Sequence, residues 1–196
     1  MRVTIVGGTN RCNSVTGQLA VIAGDIYSAL SVAVAPVDLC LLPPEILDPT
    51  IYAMRKRPLV FEPFLSALVD ADAALFIVPE YNGGLPGVLK LFIDLVPDCE
   101  TIFAARPVAL VGLAAGEWGG MRPLDQLSAI LTYRKAFVYP ERVYISNCTA
   151  AVNGGSLADP VRQRLTDQAE RFLCFARAVS PLRTMFSRRA PANQLT

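Results

Sequence analysis

The chain of 196 residues contains no histidine. That absence removes the imidazole base of Ser-His-Asp and Cys-His nucleophilic catalysis, together with the His-based metal sites. A hydrolase built on this chain needs an unusual base, whereas a redox cofactor that carries its own chemistry needs none. Charge is scarce too. Charged residues make up 18% of the chain and hydrophobic ones 53%, against roughly 25% charged in typical soluble domains. So little charge favours a chain that buries part of its surface against a partner. The net charge of +1 gives no reason to expect nucleic acid or a strongly charged surface as that partner.

Cys12, Cys40, Cys99, Cys148 and Cys174 are odd in number, widely spaced and without a CxxC pair. They read as reduced thiols of a cytoplasmic protein rather than as a disulfide framework or a zinc site. No secretory signal is recognisable, because the short apolar run after Arg2 ends at Gly7-Gly8. The most apolar long stretch, from Leu19 to Leu42, is broken by Gly24, Asp25, Pro36 and Asp38. It cannot be a membrane span of about 20 apolar residues. Three familiar phosphate motifs are missing as well. There is no Lys for a Walker loop, no GxGxxG, and Gln18 stands where a low-molecular-weight tyrosine phosphatase needs Arg after Cys12.

What is present is a repeated alternation of apolar runs and amphipathic segments, of a length that fits one domain. Val3 to Gly7 reads as a buried first strand, and Ser14 to Leu30 as a helix with Leu19, Ile22, Ile26 and Leu30 on one face. Further strands are expected at Val32 to Leu42, Ala73 to Val78, Pro107 to Leu113 and Ala136 to Tyr139. Helices are expected at Glu62 to Val69, Pro86 to Val96, Met121 to Tyr133 and Leu157 to Val179. Uniformly apolar strands alternating with helices predict an α/β fold with a parallel sheet covered on both faces. Five strands fit the flavodoxin-like doubly wound order 2-1-3-4-5. Residues 1–180 are expected to form that single domain, and residues 181–196 a basic, loosely held tail.

In such a sheet the loops after strands one, three and four open on one carboxyl edge, and here those three loops are the polar, glycine-rich ones. The first, Gly7 to Thr16, brings Thr9, Asn10, Arg11, Asn13, Ser14 and Thr16 to a helix N-terminus, with no acidic residue before Asp25. Free backbone N–H groups, hydroxyls and one guanidinium there suit a monophosphate. Capping of the helix accounts for Ser14 alone. The second loop, Pro79-Glu80-Tyr81-Asn82-Gly83-Gly84, follows a buried strand and suits a flat heteroaromatic ligand. Its glycines admit close backbone approach, Tyr81 supplies a ring and Asn82 a donor and an acceptor. A plain strand-to-helix bend is the competing reading of that loop taken alone.

Two motifs carry a family resemblance: Gly8-Thr9-Asn10-Arg11 with Ser14-Val15-Thr16, and Pro79 to Gly84 with Pro86-Gly87-Val88-Leu89-Lys90. The chain resembles the NADPH-dependent FMN reductases, flavodoxin-like oxidoreductases with azo-, quinone- and chromate-reducing members. The likeness spans roughly Arg2 to Tyr139 and is looser from Leu110 to Leu131. It implies FMN and NAD(P)H as cofactors, with Arg11, Ser14, Val15 and Thr16 holding the FMN phosphate. It implies that Pro79, Glu80, Tyr81, Asn82 and Gly83 border the isoalloxazine ring, and that Ala115, Gly116 and Glu117 line its other edge. Gly84 stands where the family often has Ser, Ala114-Ala115 replace a loop that often has hydroxyls, and Gln126 stands where relatives can have His.

The activity implied is hydride uptake from NAD(P)H and reduction of a small acceptor such as a quinone, azo compound, free flavin or metal oxyanion. No side chain need be catalytic and no metal is expected. A flavodoxin-like electron carrier is the alternative, but such carriers are usually acidic because charge steers their docking. A third reading, a module that has lost its cofactor, has the intact first and second loops against it. The apolar residues Val88, Leu89, Leu91, Phe92, Ile93, Leu95 and Val96, with Leu124, Leu127, Ile130, Leu131 and Tyr133, occupy more than one face of their helices. A homodimer or a dimer of dimers joined there is therefore expected.

Overall fold

The β-branched run after Arg2 forms strand β1 (Arg2–Gly7) in the computed structural model, which describes residues 1–51, 59–96 and 102–187. Helix α1 (Val15–Ala29) and strand β2 (Ala33–Asp38) follow, then 3-10 turns at Leu39–Leu41, Pro44–Leu47 and Leu59–Phe61. Next come α2 (Glu62–Val69), β3 (Ala73–Pro79), α3 (Gly87–Leu95), β4 (Pro107–Leu113) and α4 (Met121–Tyr133). The chain continues through β5 (Phe137–Val138), β6 (Val143–Ile145), a single turn α5 (Cys148–Ala151), the hairpin β7 (Val152–Asn153) and β8 (Ser156–Leu157), and α6 (Asp159–Ser187). The main sheet has the order β2-β1-β3-β4-β5, all parallel, as the sequence pattern predicts.

Both faces of the central strands are apolar, and each face meets its own helices. Val3, Ile5, Leu75, Ile77 and Val111 pack against Leu19, Ile22 and Phe172 from α1 and α6. The alternate residues Val6, Phe76, Val78, Val108 and Leu110 pack against Leu65, Leu89, Phe92 and Leu124 from α2, α3 and α4. Two-sided burial explains why these strands read as continuous apolar runs. Two long polar side chains are enclosed in this core and donate to backbone carbonyls. Arg106 donates to the carbonyls of Leu68 and Val69 at the negative end of α2, and Gln168 donates to the carbonyls of Leu110 and Glu141.

Several expected boundaries are corrected. The second strand ends at Asp38 rather than Leu42, because the Asp38 carboxylate accepts from the Cys40 N–H at 2.9 Å and starts a 3-10 turn. The fifth strand, expected over Ala136 to Tyr139, shrinks to two residues and pairing with β4 resumes at β6. Pro140 lies in the gap, and its missing N–H interrupts the ladder. The last helix runs on to Ser187 with Pro181 inside it, so residues 181–187 of the expected tail are helical. Arg183 donates to the Ala71 carbonyl at 2.7 Å. Residues 188–196 lie outside the described residues.

The expectation of reduced thiols throughout is also corrected: Cys12 and Cys40 are joined in a disulfide, with their Cα atoms 5.6 Å apart. The parallel β1–β2 pairing sets the loop after β1 beside the turn after β2, a proximity that a spacing of 28 residues does not disclose. Cys148 and Cys174 are free thiols, and Cys99 lies outside the described residues.

Much of the apolar surplus on α3 and α4 is absorbed within the chain. Leu89, Phe92, Ile93, Leu95, Val96, Leu124, Leu127 and Leu131 are buried. Val88, Leu91 and Ile130 are partly buried, and Tyr133 is 81% exposed.

Candidate functional site

The order β2-β1-β3-β4 brings the loops after β1, β3 and β4 side by side on the carboxyl edge. The first loop begins where the Gly8 N–H donates to the Ile77 carbonyl at 2.8 Å. A Cβ on Gly8 would lie 3.0 Å from that same oxygen and 2.9 Å from Leu89 Cδ2, so only glycine fits the close approach of the two loops. Asn13 adopts a left-handed conformation (φ 56°), and Ser14 then caps α1 by accepting from the Gly17 N–H at 3.1 Å. That cap uses one lone pair of the hydroxyl, whose hydrogen stays available to a ligand.

The first-turn N–H groups of Val15 and Thr16 have no intrahelical acceptor by helix geometry, and the first turn carries no acid. Arg11 is exposed, makes no ion pair with a described residue, and stands over the Tyr81 ring at 5.4 Å. Thr16 is only 2% exposed, so its hydroxyl is less accessible than its N–H position suggests. This donor set of one guanidinium, one hydroxyl and helix N–H groups, with no lysine and no metal ligand among them, fits a phosphate monoester.

The second loop leaves β3 with the Glu80 N–H donating to the Leu113 carbonyl at 2.9 Å. Tyr81 and Gly84 then exchange backbone hydrogen bonds of 3.1 and 3.0 Å around Asn82 (φ 51°) and Gly83 (φ 75°). Two consecutive positive φ values define the tight turn for which Asn-Gly is the favoured pair. Closure through Tyr81 and Gly84 leaves the N–H groups of Asn82 and Gly83 at the tip. Both residues are exposed, as a surface for a planar ligand requires.

The third loop folds back over β4. A Cβ on Gly112 would meet the carbonyl oxygens of Gly119 and Gly120 at 2.8 Å, and both those glycines hold positive φ. Ala115, Gly116 and Glu117 are exposed at its rim. The Asn147 N–H donates to the Gly116 carbonyl at 3.2 Å, and the Cys148 N–H to the Ala114 carbonyl at 3.0 Å.

Side chains join the three loops, and among them Arg122 and Gln126 were not legible as site residues. Thr9 Oγ1 and Tyr81 OH share a hydrogen bond of 2.6 Å, which ties the first loop to the second. Arg122 pairs with Glu80 at 2.8 Å and stands 5.7 Å from the Trp118 ring, tying the second loop to the third. Gln126 Oε1 accepts from the Leu85 N–H at 2.8 Å. Arg122 and Gln126 are four residues apart on α4, so a shared helix face was readable, whereas their partners some forty residues away were not. Two of the departures from the family pattern meet here: a Cβ on Gly84 would lie 3.2 Å from Gln126 Oε1, so glycine leaves room for that side chain.

A doubly wound sheet with a phosphate-suited first loop and a planar-ligand second loop defines a flavodoxin-like flavin oxidoreductase. Residues 1–150 match the model of the NADPH-dependent FMN reductase family, and the chain belongs to that family. Its enzymes use FMN and NAD(P)H. The chain is 33% identical over 133 residues to an NAD(P)H-dependent FMN reductase of Pseudomonas aeruginosa, an alignment covering 65% of this chain and 70% of the relative. It is 27% identical over 168 residues to an NADPH azoreductase of a Bacillus species, covering 85% and 88%. Among solved structures, the flavoenzyme NAD(P)H:(acceptor) oxidoreductase FerB of Paracoccus denitrificans shares the fold, with a TM-score of 0.67, 22% identity, and coverage of 94% of this chain and 98% of that one.

Proposed function

We propose that FMN lies along the carboxyl edge with its phosphate on Arg11, Ser14 and the first-turn N–H groups of Val15 and Thr16. The ring is bordered by Pro79, Glu80, Tyr81, Asn82 and Gly83 on one side and by Ala115, Gly116 and Glu117 on the other. Bound there, FMN would supply the redox chemistry of the reaction, hydride uptake from NAD(P)H and reduction of a small acceptor such as a quinone, azo compound, free flavin or metal oxyanion. The chain's own part is to bind, orient and tune through fixed dipoles, which a protein without histidine is able to do. The observation that carries the reading is the coupling of the phosphate loop to the ring loop through Thr9, Tyr81 and Arg11. One loop suits the charged end of FMN and the other its flat end, and the molecule connects them.

Exposed Trp118, Met121 and Tyr133 around α4, at 59%, 38% and 81% exposure, support a homodimer or a dimer of dimers with the flavin near the seam. A cytoplasmic location follows from the need for NAD(P)H, and no described helix is long and apolar enough to cross a membrane. The test is the absorption spectrum of the purified protein followed by steady-state NAD(P)H oxidation with a quinone. A bound flavin with turnover is expected. A bound flavin that NAD(P)H does not reduce would make the protein an electron carrier instead, and failure to bind FMN would overturn the site.

A further inference from the structure

Cys12 sits inside the β1–α1 loop between Arg11 and Asn13, and its sulfur is bonded to Cys40 in the 3-10 turn after β2. Cys12 is exposed and Cys40 half-buried, so a thiol from solvent has access to the Cys12 sulfur. The turn bearing Cys40 is itself held, since its N–H donates to Asp38 Oδ1 at 2.9 Å. The same loop is anchored on its other side by Thr9 and Arg11 on Tyr81. Directly after Cys12 and before the capping Ser14, Asn13 keeps a left-handed φ of 56°, a conformation that asparagine tolerates but that surrounding structure must select. The disulfide thus fixes the backbone between Arg11 and Ser14.

We infer that Cys12 and Cys40 form a reversible thiol–disulfide site that sets how tightly the first loop holds FMN, an inference that rests on the assignment of that loop to the FMN phosphate. In a reducing compartment a surface disulfide is a transient, redox-sensing bond. Reduction needs a small thiol of the glutathione class. One thiolate attacks Cys12 Sγ, the S–S bond breaks, and Cys40 leaves as a thiolate that takes a proton from water. A second thiolate attacks the glutathione sulfur of the mixed disulfide, releasing Cys12 as a thiol and glutathione disulfide. Two glutathione molecules are oxidised by one electron each, and the protein disulfide gains both electrons. The reverse direction uses glutathione disulfide as the oxidant. With the bond formed, Arg11, Asn13 and Ser14 are already arranged for a phosphate; with it broken, binding must also order the loop.

The full-length protein is equilibrated with glutathione disulfide or with excess glutathione. Peptide mass analysis reads the Cys12–Cys40 bond, and fluorescence titration reads FMN and riboflavin affinity in each state. Reduction should raise the FMN Kd about three- to tenfold and the riboflavin Kd by less than about twofold, since riboflavin has no phosphate for the loop to hold. Cys40→Ser, which lies outside the proposed FMN contacts, should bind FMN as the reduced wild type does under both conditions. Equal FMN affinity in the oxidised and reduced wild type would overturn the inference, as would failure of glutathione disulfide to join the two cysteines. FMN binding in neither state would overturn the flavin assignment along with it, whereas equal binding leaves that assignment standing.

Discussion

Replacing Arg11 and Ser14 by alanine separates the phosphate from the rest of the flavin. Arg11 makes no ion pair with a described residue, so a bound phosphate would be its charged partner. A charge-assisted hydrogen bond of that kind contributes about 1.5–3 kcal/mol. Arg11→Ala should therefore raise the FMN Kd about 10- to 150-fold. The same change removes the stacking of Arg11 on Tyr81, worth about 0.5–1 kcal/mol at an exposed site, and that part weakens FMN and riboflavin alike.

Ser14→Ala acts twice. It removes the acceptor of the Gly17 N–H, costing about 1 kcal/mol of stability. It also removes a donor to the phosphate, so the pair of substitutions should together exceed either alone. Fluorescence titration with FMN and riboflavin is the assay, with circular dichroism to show that each variant is folded. Riboflavin should weaken only about twofold to fivefold, through the stacking part. Equal losses for the two ligands would remove the phosphate from this loop.

Tyr81→Phe deletes the 2.6 Å bond to Thr9 and should weaken FMN by about 1 kcal/mol while NAD(P)H-dependent reduction stays measurable, as it should in Glu80→Gln; abolished turnover with FMN still bound would make that residue a proton donor. Gln126→Leu strips the Leu85 N–H of its acceptor at an exposed position and should cost about 0.5–1.5 kcal/mol, read as a lower urea midpoint and weaker FMN binding. Tyr27, 2% exposed with no partner for its hydroxyl, has its phenol pushed above the ordinary range by burial. The unfolded chain then loses the phenolic proton first, so stability is intact below about pH 10 and falls as pH rises beyond it. Tyr27→Phe should flatten that alkaline loss and add about 1 kcal/mol at neutral pH in urea titrations, and an unchanged alkaline slope would refute the assignment. Light scattering at micromolar concentration should report a dimer or tetramer; a monomer would leave Trp118 and Tyr133 without a covering surface.

Local pattern was enough for the fold, because a strand buried on both faces must be apolar throughout and a covering helix must carry an apolar stripe. Hence β3, β4, α2 and α4 were readable nearly to the residue. The first and second loops were readable for a related reason: helix N-termini and Asn-Gly turns impose residue types through backbone geometry alone. The sequence by itself therefore determined the sheet, its order and the polar character of its carboxyl edge. Tertiary structure decided whatever depends on residues far apart in the chain: the Cys12–Cys40 bond, the Thr9–Tyr81 contact, Arg122 on Glu80 and Gln126 on the Leu85 N–H. It also decided that most of the apolar surplus on α3 and α4 is spent inside the chain. Such pairings leave no periodic trace, since one side chain meeting one distant group constrains two positions and nothing between them.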